Sequence, residues 1–144
     1  MGDFGISKRT EEGVGASLTL QGTLGFMPPE LFGFVKTPNC INAQAADMWS
    51  LGEIAFQMLT KQPTFGSIAL LLRYVANPQT FPLSTLYAQS VSDLATNFIK
   101  FAMVPMPQDR LTAKQALDHI WMKPYRSTIM SQSIMSESYG TLNA

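Results

Sequence analysis

Gly22-Thr23-Leu24-Gly25-Phe26-Met27-Pro28-Pro29-Glu30 separates two unlike parts of this chain. Before it, residues 6–25 are polar, glycine-containing and rich in hydroxyls (Ser7, Thr10, Ser17, Thr19, Thr23), with little periodicity. So long an irregular stretch inside a compact domain reads as a functional loop. Within the quoted segment, Pro28 and Pro29 stop extended structure and can start a helical turn through Leu31 and Phe32. Residues 33–46 form a second irregular connection, and from there the pattern becomes helical.

From Asp47, Met48, Leu51, Ala55, Met58 and Leu59 recur at helical spacing, with Trp49, Ile54 and Phe56 on the remaining surface. Apolar residues nearly all round predict a helix buried on most sides, with the Asp47 carboxylate suited to its N-terminus. A second helix is predicted from about Ser67 to Val75, stopped by Asn77-Pro78. A third runs from about Val91 to Met103, with Leu94, Ala95, Phe98 and Ala102 on one face, Ser90 or Ser92 as cap, and Pro105 and Pro107 ending it. The fourth opens at Thr112, where Thr112-x-x-Gln115 has capping-box spacing, and ends near His119. Residues 126–144 hold five Ser and two Thr without sustained periodicity. They read as a disordered Ser-rich tail, with at most a short amphipathic stretch through Ile129, Met130, Ile134 and Met135.

Composition narrows the function classes. At 144 residues and 46% hydrophobic content, the chain suffices for one domain with a single core. Its formal net charge is zero and its ten Lys and Arg are scattered, which argues against a nucleic-acid surface. The lone cysteine, Cys40, rules out an internal disulfide framework and fits a reducing compartment. No apolar run approaches the roughly 20 residues of a membrane helix, so no membrane partner is expected. No cationic stretch leads into an apolar core at the N-terminus, and Ile6 stands where myristoylation requires Ser or Thr. A cytoplasmic or nuclear location is the expectation. Zinc-spaced Cys/His clusters, a His-based triad and a phosphate-cradling Gly motif are all missing from the sequence.

Three further signatures flank the opening segment. Asp3-Phe4-Gly5 precedes it; alone, this is a weak signal that could be a simple turn around Gly5. Asp47-Met48-Trp49-Ser50-Leu51-Gly52 and Asp109-Arg110-Leu111-Thr112-Ala113-Lys114-Gln115-Ala116-Leu117-x-His119-x-Trp121 follow it. In this order, the four signatures resemble the C-terminal portion of the Ser/Thr protein kinase catalytic domain, from Asp-Phe-Gly onward. The resemblance covers roughly residues 1–125. It implies a mainly α fold: a partial protein-kinase-like C-lobe with a long activation segment, the N-lobe and catalytic loop being absent. The segment lacks the Trp that tyrosine kinases tend to carry shortly before Ala-Pro-Glu, which favours Ser/Thr specificity.

The resemblance also implies roles. Asp3 would chelate the Mg²⁺ that bridges the ATP phosphates, with Phe4 packing beneath the N-lobe and Gly5 completing the motif. The alternative for Asp3 is a solvated carboxylate. Thr23 would touch the catalytic loop where the substrate hydroxyl docks; simple turn chemistry is the alternative. Thr19, four residues earlier, matches a regulatory phosphorylation position, where phosphate would order the loop, or else is an unmodified exposed hydroxyl. Glu30 and Arg110 would form a buried ion pair tying the activation segment to the last helices. Asp47 would accept backbone N–H groups from the catalytic loop, with Trp49 and Gly52 packed nearby; a plain helix cap is the alternative. His119, the only histidine, is followed by Ile120-Trp121 and suits packing, not catalysis.

Departures from the family pattern are Pro28 for the usual Ala, Phe26 for the commoner Tyr and Ile120 where Pro is favoured. They blur the subfamily more than the chemistry. A Gly-rich loop, the strand Lys with its helix Glu, the His-Arg-Asp base and the Asn for a second metal do not occur in the 144 residues. Those groups supply most of the positioning and electrostatics of phosphoryl transfer. This chain alone is therefore expected to hold Mg·ATP weakly and to be inactive, with a protein substrate or partner protein as its counterpart. The competing reading is a non-catalytic interaction module. A third, an unrelated small helical domain, does not account for the ordered motifs.

Overall fold

The computed structural model describes residues 24–37 and 42–140, with side chains as far as residue 133. The described part is helical and contains no strand.

Helix α1 (Ala43–Thr60) is the central element. The Asn42 side chain accepts the Ala45 N–H at 3.1 Å and caps it, and Lys61 closes it in the left-handed region at φ 61°. The start corrects the sequence expectation. Asn42 caps the helix one turn earlier and the alanine-rich first turn propagates readily, so Asp47 lies exposed inside the helix and caps nothing.

Helix α2 (Ile68–Ala76) is capped by Ser67, and a 3₁₀ turn over Pro78–Thr80 follows. Helix α3 (Leu83–Ala88) was not foreseen: six residues are too few to show a period, and no side chain caps it. Full burial of Leu86, whose carbonyl also receives the Val91 N–H at 3.1 Å, fixes it. Helix α4 (Asp93–Ala102) is capped by Ser92. After a 3₁₀ turn at Pro107–Asp109, α5 (Ala113–Asp118) opens with the reciprocal Thr112/Gln115 capping box.

Helix α6 (Lys123–Gly140) differs from the disordered tail expected there. Its backbone is helical, its side chains are exposed from Lys123 to Ser133, and Ser127, Thr128, Ser131 and Ser133 turn their hydroxyls onto carbonyls four residues back. The exposed Arg126–Asp118 pair links its first turn to α5.

The core lies between α1 and α4, with Phe65, Tyr74, Phe81 and Leu86 closing it. Gly52 permits the close approach: a Cβ there would stand 2.4 Å from Met103 Cγ and 3.1 Å from Ala102 Cβ. The Tyr74 hydroxyl donates to the Met103 carbonyl at 2.9 Å. Burial pushes its pKa up to about 12, with the Arg110 charge pulling the other way. The outer face of α1 is less covered than its apolar sequence predicts, leaving Leu51, Ile54 and Met58 exposed. No helix among the described residues is long and apolar enough to cross a membrane.

Candidate functional site

Glu30, Trp49 and Arg110, singled out in the sequence, converge where residues 24–34 lie across the start of α1 and the α4–α5 connection. Pro28 and Pro29 are buried and begin a compact turn, in which Leu31 N–H meets Pro28 O at 3.0 Å and Phe34 N–H meets Pro29 O at 3.0 Å. Gly33, at φ 74°, lets the chain reverse there. Two α1 side chains hold the turn upstream. Trp49 Nε1 donates to the Gly25 carbonyl at 3.0 Å, and Ser50 Oγ donates to the Phe26 carbonyl at 2.9 Å.

Glu30 and Arg110, 80 residues apart, meet beneath that turn. Nη1 approaches Oε1 at 2.6 Å and Nη2 approaches Oε2 at 2.5 Å, with both side chains essentially without solvent exposure. The guanidinium also donates from Nε to Val104 O at 2.7 Å, from Nη1 to Ala45 O at 2.9 Å and from Nη2 to Pro105 O at 3.0 Å. All the donors of an arginine are thereby engaged. Its carbon centre stands 5.1 Å from the Trp49 ring, adding a cation–π contact. So saturated a group has no donor left for a ligand. Its place is structural: it ties the 24–34 segment, α1 and the α4–α5 connection together.

Of the residues singled out from sequence, Glu30, Trp49 and Arg110 are in contact and Gly52 lies one turn along α1, at the α4 crossing. Asp47 is exposed. Asp3, Phe4, Gly5, Thr19 and Thr23 lie outside the described residues, as does Cys40. His119 ends α5; its Nδ1 accepts the Trp121 N–H at 3.2 Å and its ring lies 5.4 Å from Phe98. Among the described residues no group of three or more His, Cys, Asp or Glu could hold a metal ion. The arrangement described here holds a loop in place.

Three residues with long-range polar contacts, only Ser50 of them part of this anchoring, escaped the sequence reading. Ser50 looks like any small helical residue until the Phe26 carbonyl is placed beside it. Tyr74 needs the core around it. Glu53 did leave a signal, being an acid three residues before Phe56 in an otherwise apolar run, but its partner Thr64 lies beyond the helix.

A family model described as protein kinase domain matches residues 1–122. A calcium/calmodulin-dependent protein kinase of Metarhizium anisopliae is 32% identical over 130 residues, covering 89% of this chain and 32% of that protein. A probable myosin light chain kinase of Dictyostelium discoideum is 34% identical over 126 residues, covering 85% of this chain and 24% of that protein. The chain thus spans about a third or less of the curated relatives it matches. Among solved structures, the Rad53 kinase domain and SCD2 in complex with AMPPNP superposes with a TM-score of 0.56 at 28% identity, covering 71% of this chain and 39% of that one. A second structure of the Rad53 kinase domain and SCD2 gives a TM-score of 0.57 at 26% identity, covering 71% and 38%. With the family model spanning most of its length and the helical base superposing on a kinase domain, the chain belongs to the protein kinase domain family.

Proposed function

We propose that residues 1–125 are the activation segment and C-lobe helices of a Ser/Thr protein kinase domain, and that the intact domain transfers the ATP γ-phosphate to protein Ser or Thr. The observation that carries this reading is the fixation of residues 24–34. Glu30–Arg110, Trp49 and Ser50 anchor the segment directly after Thr23, where a polypeptide substrate must be held still for in-line transfer. In this reading Thr23 contacts the substrate side of the reaction, Asp3 is the ligand for Mg·ATP, and Thr19 is the regulatory phosphosite. The solved Rad53 complex with AMPPNP supports ATP use in the family. Mg²⁺, with ATP, would neutralise phosphate charge when bound. The 144 residues include neither a His-Arg-Asp base nor a strand lysine, so in this reading the chain by itself is expected to be inactive.

Full-length transcript sequencing tests the parentage. An in-frame His-Arg-Asp and Val-Ala-x-Lys upstream of the codon for Met1 are expected. A well-covered upstream region with neither would overturn it.

The uncovered face of α1 favours a second reading, a non-catalytic interaction module. Leu51, Ile54, Met58, Phe98, Trp121 and Met122 line a groove of about 280 Å³ that polar groups do not enter. In a whole kinase domain, helices preceding Asp-Phe-Gly would cover this face. In the short chain it is available to a partner protein.

A further inference from the structure

Glu53 sits fully buried in the middle of α1 and takes no part in the anchoring described above. Its Oε1 accepts from Gln57 Nε2 at 2.7 Å and from the Thr64 backbone N–H at 3.2 Å, while Oε2 meets no donor among the described residues. The same carboxylate abuts the loop on the other side: a Cβ built on Gly25 would stand 2.5 Å from Oε1 and 2.9 Å from Cδ. One side chain therefore touches both the turn at 24–27 and the loop at 61–67 that joins α1 to α2. For packing alone, an apolar residue of similar volume would serve better, because taking a carboxylate out of water is costly.

We propose that Glu53 is a positioning residue that locks the 24–27 turn and the 61–67 loop into a single unit. Gly25 leaves the space that the carboxylate fills, and Oε1 carries the constraint across to the Thr64 amide. Trp49 and Ser50 hold the Gly25 and Phe26 carbonyls from the preceding turn of α1, so the Glu53 contact comes from the same helix. A ligand that orders one loop then orders the other. That the ligand is a polypeptide substrate rests on the kinase reading; the mechanical link does not.

Amide hydrogen exchange on the full 144-residue chain tests the link without nucleotide or peptide, so its outcome is separable from that of the kinase reading. Glu53→Ala is expected to speed exchange at both Thr64 and Met27 by roughly tenfold or more, the scale of one lost buried hydrogen bond, with α4 amides unchanged. Glu53→Gln, whose amide oxygen can still accept from Thr64, is expected to restore protection at both. Gly25→Ala, which crowds Oε1, is expected to speed Thr64 exchange in the wild-type background but not in the Glu53→Ala background. Acceleration at Thr64 without Met27, or equal acceleration throughout α4, would overturn the proposal. Should Glu53→Ala fail to fold, Gly25→Ala decides alone: unchanged Thr64 exchange overturns it.

Discussion

Arg110 shows how one residue can tie three segments together and keep no donor for a ligand. Its donors are all engaged and its one carboxylate partner is buried with it, so removing either side strands the other. Glu30→Ala or Arg110→Ala is expected to lower stability by about 3–5 kcal/mol, read from urea unfolding. Arg110→Lys should rescue little, since an ammonium cannot reproduce the two-point contact. A loss below about 1 kcal/mol would mean the pair behaves as an exposed one. Tyr74 makes a different prediction. Its folded pKa, about 12, is raised above the ordinary 10, so its contribution is present below pH 10 and is lost as pH rises toward 12. Wild-type stability should therefore fall across that window more steeply than that of Tyr74→Phe. Parallel pH profiles would show that Tyr74 ionises as freely in the folded chain as in the unfolded one.

At the scale of elements, the packing of α1 on α4 depends on Gly52. Gly52→Ala drives a methyl group against Met103 and Ala102, and a cost of about 1–3 kcal/mol is expected. Pairing it with Met103→Ala should make the combined loss smaller than the sum of the two single losses; strict additivity would place the clash elsewhere. Thr112→Ala, which removes the capping box of α5, is expected to cost about 1 kcal/mol by the same unfolding measurement. These elements also show what a sequence carries. The helices at Ile68–Ala76, Asp93–Ala102 and Ala113–Asp118 were legible because Ser67, Ser92 and Thr112 cap regular apolar faces. The start of α1 was misplaced because Asn42 lies in a stretch that reads as irregular and the Asp47 carboxylate looked a better cap. Helix α3 was too short for its period to show, and the Ser-rich composition of α6 masked its helical backbone. Glu30 and Arg110 could be paired only by resemblance, since no local rule relates residues 80 positions apart. Glu53 needed the fold, because both of its loops lie outside its own helix.

At the scale of the molecule, a well-packed base carries an uncovered apolar face. Leu51, Ile54 and Met58 stand exposed on α1, beside Trp121 and Met122. At zero net charge such a face favours association. Sedimentation of the 144-residue chain is expected to show concentration-dependent self-association that Met58→Lys, on an exposed site, reduces without unfolding the helices. A strict monomer at all concentrations would remove the support for the second reading. The family fold and the held 24–34 segment leave one question above the others: whether this much of a kinase domain can work. The direct measurement is phosphate incorporation into a generic Ser/Thr protein substrate by the purified chain in Mg·ATP, with thermal unfolding followed in parallel. No incorporation and no stabilisation by Mg·ATP are expected; transfer above background, or a clear rise in unfolding temperature, would contradict the reading of the chain as an incomplete catalytic domain.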